Sequence, residues 1–169
     1  MEAESRNGTL VIRPMSLDDI KRVHDIDLLS FSMPWSERSY RFELTENRNS
    51  QVLVAEVTTP EGREVVGMIV LWVILDEAHV ATIATHPSYR GRHIGRKLLA
   101  NGLLAAYNRG ARLAYLEVRR SNLTAQSLYE KFGFYVAGER PRYYKDNNED
   151  ALLMTLDTIN PEALTHLAE

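Results

Sequence analysis

The hydrophobic periodicity of this chain changes near residue 86, and that change constrains the fold more than any other feature. Before it, three β-rich apolar runs are separated by turn signals and span residues 51–57, 64–75 and 78–85. After it, two runs with apolar residues at helical spacing flank one strand-like run, and together they span 94–106, 113–118 and 122–132. An antiparallel meander followed by strand, helix, strand and helix predicts the α+β class, with one parallel step in the sheet.

The N-terminal part of the chain is predicted to hold one strand and two helices. A short strand at 10–13 is stopped by Pro14. Ser16 is a typical helix N-cap, and helical spacing of apolar residues continues to about residue 30. An unusual apolar loop follows, and Ser36 then begins a second helix that reaches about residue 47.

The chain of 169 residues suits one domain, and it contains no internal repeat or linker. Two final strands are predicted at 134–136 and 151–156, separated by a polar segment. We therefore expect about four helices and a single domain over 10–156. Outside it we expect a polar N-terminal tail at 1–9 and a C-terminal tail at 157–169 that forms a loop and a short amphipathic turn.

Composition excludes several function classes. The chain has no Cys, so disulfides, thiolate metal sites and Cys nucleophiles are absent, and its five His residues show no metal-ligand spacing. A net charge of −3 gives no electrostatic footprint for nucleic acid or an anionic membrane. No apolar run approaches the roughly 20 residues of a spanning helix, and the polar N-terminus is unlike a signal peptide. We expect a soluble cytoplasmic protein, a monomer or weak dimer, with no metal, nucleic-acid partner or membrane partner.

A basic loop precedes the third predicted helix. Arg90, Arg92 and Arg96 surround the helix start, and Gly91 and Gly95 allow a close backbone approach. Backbone N–H groups at a helix N-terminus are unpaired, and the helix dipole favours an anion there. The loop therefore indicates either a site for a phosphate-bearing ligand or an ordinary solvated loop.

The order of residues in this loop carries a resemblance to a known family. The segment Arg90-Gly91-Arg92-His93-Ile94-Gly95 resembles the Gln/Arg-x-x-Gly-x-Gly/Ala loop of the GNAT superfamily of N-acetyltransferases, with His93 at the usual position of the first glycine. Further segments, in order from about residue 10 to 156, are similar to the bacterial ribosomal-protein-alanine N-acetyltransferases (the RimI branch). They include Phe31-x-x-Pro34-Trp35-Ser36, Leu75-Asp76-Glu77-Ala78, Leu116-Glu117-Val118-Arg119, Leu128-Tyr129-Glu130 and Arg142-Tyr143-Tyr144.

The resemblance implies a three-layer fold around a twisted, mostly antiparallel sheet with one splayed pair of parallel strands. It also implies acetyl-CoA as cosubstrate, with its pyrophosphate at the basic loop and its pantetheine arm in the gap between the splayed strands. Asn122, by itself an ordinary helix cap, is implied to contact that arm. The implied cofactor-binding residues are Ile83, Ala84, Thr85, Arg90, Gly91, Arg92, His93, Ile94, Gly95, Arg96 and Asn122.

Two residues are candidates for proton transfer. Glu117 shares a predicted strand face with Leu113 and Tyr115, so it is either a solvated strand end or a carboxylate placed for chemistry. Tyr129 lies on the apolar stripe of a predicted helix, where an ordinary core aromatic is also expected. The resemblance implies that Glu117 is the general base and that Tyr129 is the general acid, which protonates the departing CoA thiolate.

Two aromatic segments are candidates for binding the acceptor. Phe31, Met33, Pro34 and Trp35 form either a core plug or one wall of a peptide slot, and Tyr143 and Tyr144 are either ordinary strand aromatics or the other wall. The resemblance implies the slot, which favours a free protein N-terminus over internal lysines. The expected substrate is the N-terminal alanine of a small-subunit ribosomal protein. The alternatives are a GNAT acetyltransferase of a small amine, such as a polyamine or an aminoglycoside, and a non-catalytic acyl-CoA sensor.

Overall fold

A computed structural model describes residues 8–169 and contains one seven-stranded sheet. Its order is β1-β2-β3-β4-β5-β7-β6, and every neighbouring pair is antiparallel except β4 and β5. The strands in chain order are β1 Thr9–Pro14, β2 Ser50–Thr59, β3 Gly62–Ile74, β4 Glu77–Thr85, β5 Leu113–Arg119, β6 Tyr135–Tyr144 and β7 Glu149–Leu156.

Five α-helices flank the sheet, and their ends follow from local sequence. The Ser36 hydroxyl accepts from the Ser39 N–H at the start of the second helix, and Asn122 caps the fourth in the same way through the Ala125 N–H. One-turn 3₁₀ segments precede the first and third helices, at Leu17–Asp19 and Pro87–Tyr89. The helices are α1 Ile20–Ser30, α2 Glu37–Thr45, α3 Ile94–Asn108, α4 Leu123–Lys131 and α5 Pro161–Ala168.

Successive side chains of the central strands point to opposite faces of the sheet, and this produces the three layers. In β3, Met68 and Val70 are fully buried in a core with residues of α1 and α2, whereas Ile69 and Leu71 are fully buried in a second core with residues of α3. A strand with apolar side chains on both faces needs cover on both sides. The predicted α+β three-layer class is therefore confirmed.

The parallel pair β4–β5 separates soon after it begins. Its register covers only Glu77 to His79 on β4, with His79 opposite Tyr115, and it stops there. On the other side of β4 the register against β3 jumps from Val70↔Thr82 to Leu71↔Val80, which leaves Ala81 as a bulge. A bulge bends and twists its strand, so the rest of β4 leaves β5 and a gap opens between them, as the predicted splayed pair requires.

Two predicted elements were wrong in extent. The strand expected at 134–136 continues to Tyr144, because β6 is an edge strand with mostly exposed side chains and its polar sequence hides it. The segment after residue 157 forms the helix α5 rather than a loop and short turn, and its Leu164 is buried in the core that contains α3. The predicted tail at 1–9 lies mostly outside the described residues.

Gly102 sets how closely α3 lies on the sheet. A Cβ built at this position would lie 2.8 Å from Leu71 Cδ1 and 3.0 Å from Ile69 Cδ1. Real Cβ atoms essentially never show the first distance and rarely show the second, and both side chains belong to the packed face of β3.

We expect Gly102→Ala to lower the free energy of unfolding by about 1–3 kcal/mol, because overpacking a dense core forces side chains off their rotamers. Urea denaturation measures the change. Gly138→Ala is the control, since no atom lies within 4 Å of the added Cβ there. Equal stability of the two variants would contradict this account of the α3 packing.

Candidate active site

Glu117 lies on β5 just beyond the point where β4 departs. Its Oε2 is 2.6 Å from His79 Nε2, and its Oε1 is 3.6 Å from Arg140 Nε. The Glu117 side chain is only 11% exposed, so the carboxylate faces the interior of the gap rather than bulk water. Burial raises the pKa of Glu117, but the His79 hydrogen bond and the positive charges nearby outweigh it, and the pKa is lowered overall. Glu117 is therefore a carboxylate at neutral pH.

His79 is part of a column of aromatic rings. Its ring stacks on Tyr115, with centroids 4.5 Å apart and planes 10° apart, and the edge of Trp72 packs against it at 5.3 Å. The Trp72 Nε1–H in turn donates to Glu43 Oε2 at 3.0 Å. Sequence reasoning missed these contacts. They depend on the parallel pairing that sets His79 beside Tyr115, and no local sequence pattern indicates that register.

The same column reaches the loop between α1 and α2. Trp35 stacks on Trp72 with centroids 6.3 Å apart, and the backbone N–H of Trp35 donates to Asp27 Oδ2 at 2.8 Å. The Tyr40 hydroxyl donates to the same oxygen at 2.9 Å. Burial raises the pKa of Asp27, although both hydrogen bonds oppose the rise. The buried Asp27 on α1 thus holds both Trp35 and the first turn of α2.

The predicted acceptor loop divides into two parts. Trp35 is half-buried against the core, as the core-plug interpretation expects, whereas Phe31 and Met33 are exposed by 38% and 47%, with Pro34 between them and Trp35. The Ser32 hydroxyl in the middle of the loop donates to Asp146 in the turn between β6 and β7. The loop therefore touches the hairpin that carries the two predicted acceptor tyrosines.

That hairpin is distorted at the tyrosines. The β6–β7 register jumps from Arg140↔Ala151 to Tyr144↔Glu149, and Arg142 has φ of 51° in the left-handed region. Three residues of β6 therefore stand opposite one of β7, which turns this end of the hairpin out of the regular ladder. Tyr143 is 43% exposed, and its ring meets that of Tyr144 edge-on at 5.1 Å.

Arg119 ties the hairpin to the end of β5. Its guanidinium lies 3.9 Å from the centre of the Tyr144 ring, 2.9 Å from Asp146 and 3.4 Å from Glu149. The negative charge of Glu117 contributes to the raised pKa of both Tyr143 and Tyr144, after burial as the main cause. Both tyrosines therefore lie in the electrostatic field of Glu117, on the side where the acceptor loop and the hairpin meet.

Tyr129 is buried in α4, with its ring 5.9 Å from that of Phe134. Burial first, and Tyr144 second, raise its pKa, so its hydroxyl keeps its proton at neutral pH. The influence of Tyr144 relates Tyr129 to the same hairpin. Tyr129 is thus a buried core aromatic whose hydroxyl is protonated, and its part in proton transfer stays a prediction.

The basic loop adopts a conformation that explains its glycine pattern. His93 precedes α3 with φ of 60°, in the left-handed region, and Gly91 has φ of 78°. Glycine populates this region without steric cost, so the family glycine at the position of His93 has a conformational reason. The His93 side chain is exposed at the helix start.

The charges of the loop fit an anionic ligand. Within residues 8–169, none of Arg90, Arg92 and Arg96 forms an ion pair with a carboxylate. Arg90 donates to the Thr85 carbonyl at 3.2 Å, and Arg92 lies over the Tyr89 ring. The first intrahelical bond here is from the Lys97 N–H to the His93 carbonyl, so the three preceding N–H groups, starting with that of Ile94, lack helical acceptors.

The end of β4 and the start of α3 form the walls of the gap. Ile83, Ala84 and Thr85 pair with β3 but not with β5. A Cβ at Gly95 would meet only ordinary contacts, 3.6 Å from Leu128 Cδ2 and 3.9 Å from Thr85 Oγ1. Of the predicted cofactor residues, these and the loop are close in space, and Asn122 caps the neighbouring α4. The described residues include no group of three or more side chains suited to a metal ion.

Comparison with known proteins agrees with this geometry. The Acetyltransferase (GNAT) family model matches residues 20–134. A putative [ribosomal protein bS18]-alanine N-acetyltransferase of Bacillus subtilis is 40% identical over 149 residues, which cover 88% of this chain and 95% of that protein. The [ribosomal protein bS18]-alanine N-acetyltransferase of Escherichia coli is 32% identical over 86% of this chain and 95% of its own length.

The chain belongs to the GNAT acetyltransferase family. A crystal structure of the ribosomal-protein-S18-alanine N-acetyltransferase from Escherichia coli superimposes with a TM-score of 0.77 at 29% identity, covering 90% of this chain and 96% of that one. The GNAT protein described here is thus an N-acetyltransferase, as the sequence predicted. No helix in residues 8–169 is long and apolar enough to cross a membrane.

The left-handed His93 of this GNAT enzyme leads to a prediction about stability. We expect His93→Gly to raise the free energy of unfolding by roughly 0.5–1 kcal/mol. Relief of the left-handed conformation is worth about 1–2 kcal/mol, and about 0.5–1 kcal/mol is lost to the greater backbone freedom of glycine in the unfolded chain.

Urea denaturation of the two proteins measures this difference. Ser88→Gly, at a position of ordinary negative φ in the same segment, is the control and should lower stability. A His93→Gly variant less stable than the parent would show that the loop does not strain this residue.

Proposed function

We propose that this enzyme transfers the acetyl group of acetyl-CoA to the α-amino group at a protein N-terminus. The expected acceptor is the N-terminal alanine of a small-subunit ribosomal protein, in the cytoplasm. The observation that carries the proposal is the contact of the α1–α2 loop with the β6–β7 hairpin, through Ser32 and Asp146. Arg119, two residues beyond Glu117 on β5, pairs with the same Asp146. Two loops that meet at the end of the strand that carries the carboxylate favour a slender chain end over a lysine on a folded surface. The relatives from Bacillus subtilis and Escherichia coli, both named for the N-terminal alanine of a ribosomal protein, support the same acceptor.

Acetyl-CoA fits the chemistry of the gap. The N–H groups at the start of α3 that lack helical acceptors, and the arginines 90, 92 and 96, provide positive charge, and no carboxylate within residues 8–169 forms an ion pair with these arginines. The backbone of Ile83, Ala84 and Thr85 has no strand partner on the side of β5, so its amide groups are available to the amides of the pantetheine arm. Asn122 lies on the neighbouring helix cap. When bound, the cosubstrate supplies the acetyl thioester.

Glu117 and Tyr129 then have complementary proton roles. The acceptor α-amine has a pKa of roughly 8 and is neutral in about a tenth of molecules at pH 7, so a carboxylate base can serve it through water without extreme tuning. The amine nitrogen forms a bond to the thioester carbon, and the carbon–sulfur bond breaks. Glu117 takes up the proton lost by nitrogen, and Tyr129 donates one to sulfur. We expect direct transfer, because the chain has no Cys to form an acyl-enzyme and no Ser–His pair is evident in its sequence.

A small polyamine is the weaker candidate acceptor. Binding a polycation needs free carboxylates, but Arg140 stands 3.6 Å from Glu117. The acidic residues of the hairpin are already paired: Asp146 and Glu149 with Arg119, and Asp150 with Arg120. A non-catalytic sensor of acyl-CoA is disfavoured by the buried, ionised Glu117 and the protonated Tyr129.

The first test offers the enzyme acetyl-CoA with a pool of short peptides and follows products by mass spectrometry. The peptides carry free Ala, Ser, Thr, Gly or Met termini, and matched peptides have a blocked terminus and an internal Lys. Spermidine is included as the competing acceptor. We expect a gain of about 42 Da only on free termini, strongest on Ala. Acetylation of spermidine or lysine alone would overturn the peptide acceptor.

A second test concerns the base. We expect Glu117→Gln to lower kcat by roughly 10²–10⁴-fold, because the amide cannot accept the proton, while the Kd for acetyl-CoA changes little. Steady-state kinetics and calorimetry measure the two quantities. Glu162→Gln, an exposed change in the first turn of α5, is the charge-matched control. Unchanged kcat in Glu117→Gln would remove Glu117 from the mechanism.

A further inference from the structure

A cavity of about 360 Å³ lies between α2 and the end of β3, and the mechanism above does not use it. Its walls include the aromatic residues Trp35, Phe42 and Trp72. Two charged residues of α2, Arg38 and Glu43, also line it. The volume is at the lower end of the range of about 300–1,000 Å³ that is typical of ligand pockets. The cavity is therefore large enough for one side chain or a small ligand.

The carboxylate of Glu43 has one oxygen in use and one available. Glu43 is only 8% exposed, and its Oε2 accepts from Trp72 Nε1 at 3.0 Å and from Asn47 Nδ2 at 2.9 Å. Within residues 8–169, Oε1 accepts no hydrogen bond, and this atom is not enclosed by protein. A carboxylate only accepts hydrogen bonds, and it binds charged donors most strongly. The free oxygen of Glu43 thus favours a cation in the cavity.

The aromatic walls favour the same kind of ligand. Trp35 and Trp72 stack with their planes 18° apart, and Phe42 is 47% exposed. The face of an aromatic ring attracts a cation, and the indole of Trp does so best. In the described part of the chain, arginines lie over three tyrosine rings, but no cation of the protein lies over the rings of this cavity. The aromatic faces are therefore open to an ammonium or guanidinium group from another molecule.

The cavity is continuous with the acceptor side of the active site. The edge of Trp72 packs against His79 at 5.3 Å, and His79 lies 2.6 Å from Glu117. Trp35 ends the α1–α2 loop, whose Ser32 contacts the β6–β7 hairpin. These contacts place the cavity on the order of 10–15 Å from Glu117, a span that an extended chain covers in about three or four residues. A peptide whose amine lies at Glu117 can therefore reach the cavity with a residue near its start.

We propose that this cavity binds the side chain of a Lys or Arg at about the fourth or fifth position of the acceptor protein. The inference rests on the proposed acetyl transfer to a protein N-terminus and adds a determinant of specificity to it. Ribosomal proteins bind RNA, and binding to its phosphates requires Lys and Arg, so such an acceptor is expected to offer a basic side chain. One free carboxylate oxygen suits a single cation on a chain that is held elsewhere, whereas a polyamine needs several.

The test uses peptides that begin with Ala and otherwise contain only Gly and Ser. One series carries a single Lys at each position from the second to the seventh, and two further peptides carry no charged side chain or a single Glu. We expect a Lys at the fourth or fifth position to raise kcat/KM about tenfold over the neutral peptide. The gain should appear in KM rather than kcat, because the contact is remote from the reacting atoms and is equal in the ground and transition states.

Glu43→Gln tests the site itself. The amide oxygen still accepts from Trp72 and Asn47, but the negative charge is gone. We expect the advantage of the Lys peptide to disappear while kcat/KM for the neutral peptide stays within twofold. Glu46→Gln is the matched control, because it removes an exposed carboxylate at the end of the same helix and should keep the advantage. Arg38→Gln should increase the advantage, since it removes a like charge from the exposed rim.

The outcomes separate the cavity from the acetyl transfer. If the position of Lys has no effect, or if Glu43→Gln keeps the advantage, the proposed cation site is wrong and the acetylation of the neutral peptide still supports the proposed function. A preference for the Glu peptide that is lost in Arg38→Gln would mean that the cavity binds an anion, and this also overturns the inference. If the wild-type enzyme acetylates spermidine and no peptide, the proposed function fails and the inference with it.

A second measurement needs no turnover. Trp35 and Trp72 are the two Trp residues of the chain, so its intrinsic Trp fluorescence reports on this cavity. We expect a saturable change when the N-acetylated Lys peptide is added, and none with the acetylated neutral peptide or with Glu43→Gln. The same emission shows whether Glu43→Gln is folded. If it is not, Phe42→Leu decides, because this exposed change should weaken binding of the Lys peptide by about 2–5-fold. An equal response to both peptides, or unchanged binding in Phe42→Leu, would overturn the proposal.

Discussion

The early separation of β4 from β5 is the constraint on which the rest of the site depends. Parallel pairing stops at His79 and Tyr115, and the bulge at Ala81 carries β4 away. The separation exposes backbone on β4, brings the basic loop and the start of α3 to the open end of the gap, and leaves Glu117 at its closed end. A continuous ladder would satisfy those backbone groups and leave no room for an extended ligand. The gap therefore lacks the β4–β5 hydrogen bonds of a continuous sheet, and the unpaired backbone is available to a ligand.

Two buried acids hold the acceptor side of that gap. Asp27 accepts from Trp35 and Tyr40, and Glu43 accepts from Trp72, so each carboxylate anchors one or more rings of the aromatic column. Burying a carboxylate costs free energy unless hydrogen bonds compensate it. Here the compensating donors belong to Trp35, Tyr40 and Trp72, so the same bonds fix the positions of these aromatic residues. The column runs without interruption from α1 to the Glu117–His79 contact. The position of Trp35 in the acceptor loop and the orientation of His79 beside Glu117 thus depend on the same packed side chains.

The sequence was sufficient to predict the layers, and for identifiable reasons. The continuous apolar run of β3 and the helical spacing in α3 are local patterns that survive in any context, and the loop from Arg90 to Gly95 carries its motif in consecutive residues. Most of β6 beyond residue 136 escaped prediction because an exposed edge strand has no apolar pattern that would reveal it. The helix α5 was underestimated because its burial depends on α3, a partner distant in sequence.

The site residues also fall into those that the sequence indicated and those that only the tertiary structure brought together. The sequence by itself determined the positive loop, through residue type and spacing. It also indicated the family through the order of its motifs, and that resemblance in turn implied Glu117 and Tyr129 as proton-transfer candidates. Only the tertiary structure decided that His79 contacts Glu117, that Trp35 faces the core while Phe31 and Met33 are exposed, and that Ser32 reaches Asp146. These contacts join residues between 38 and 114 positions apart. Strand register and helix packing bring such residues together, and neither is written in any local stretch of the chain.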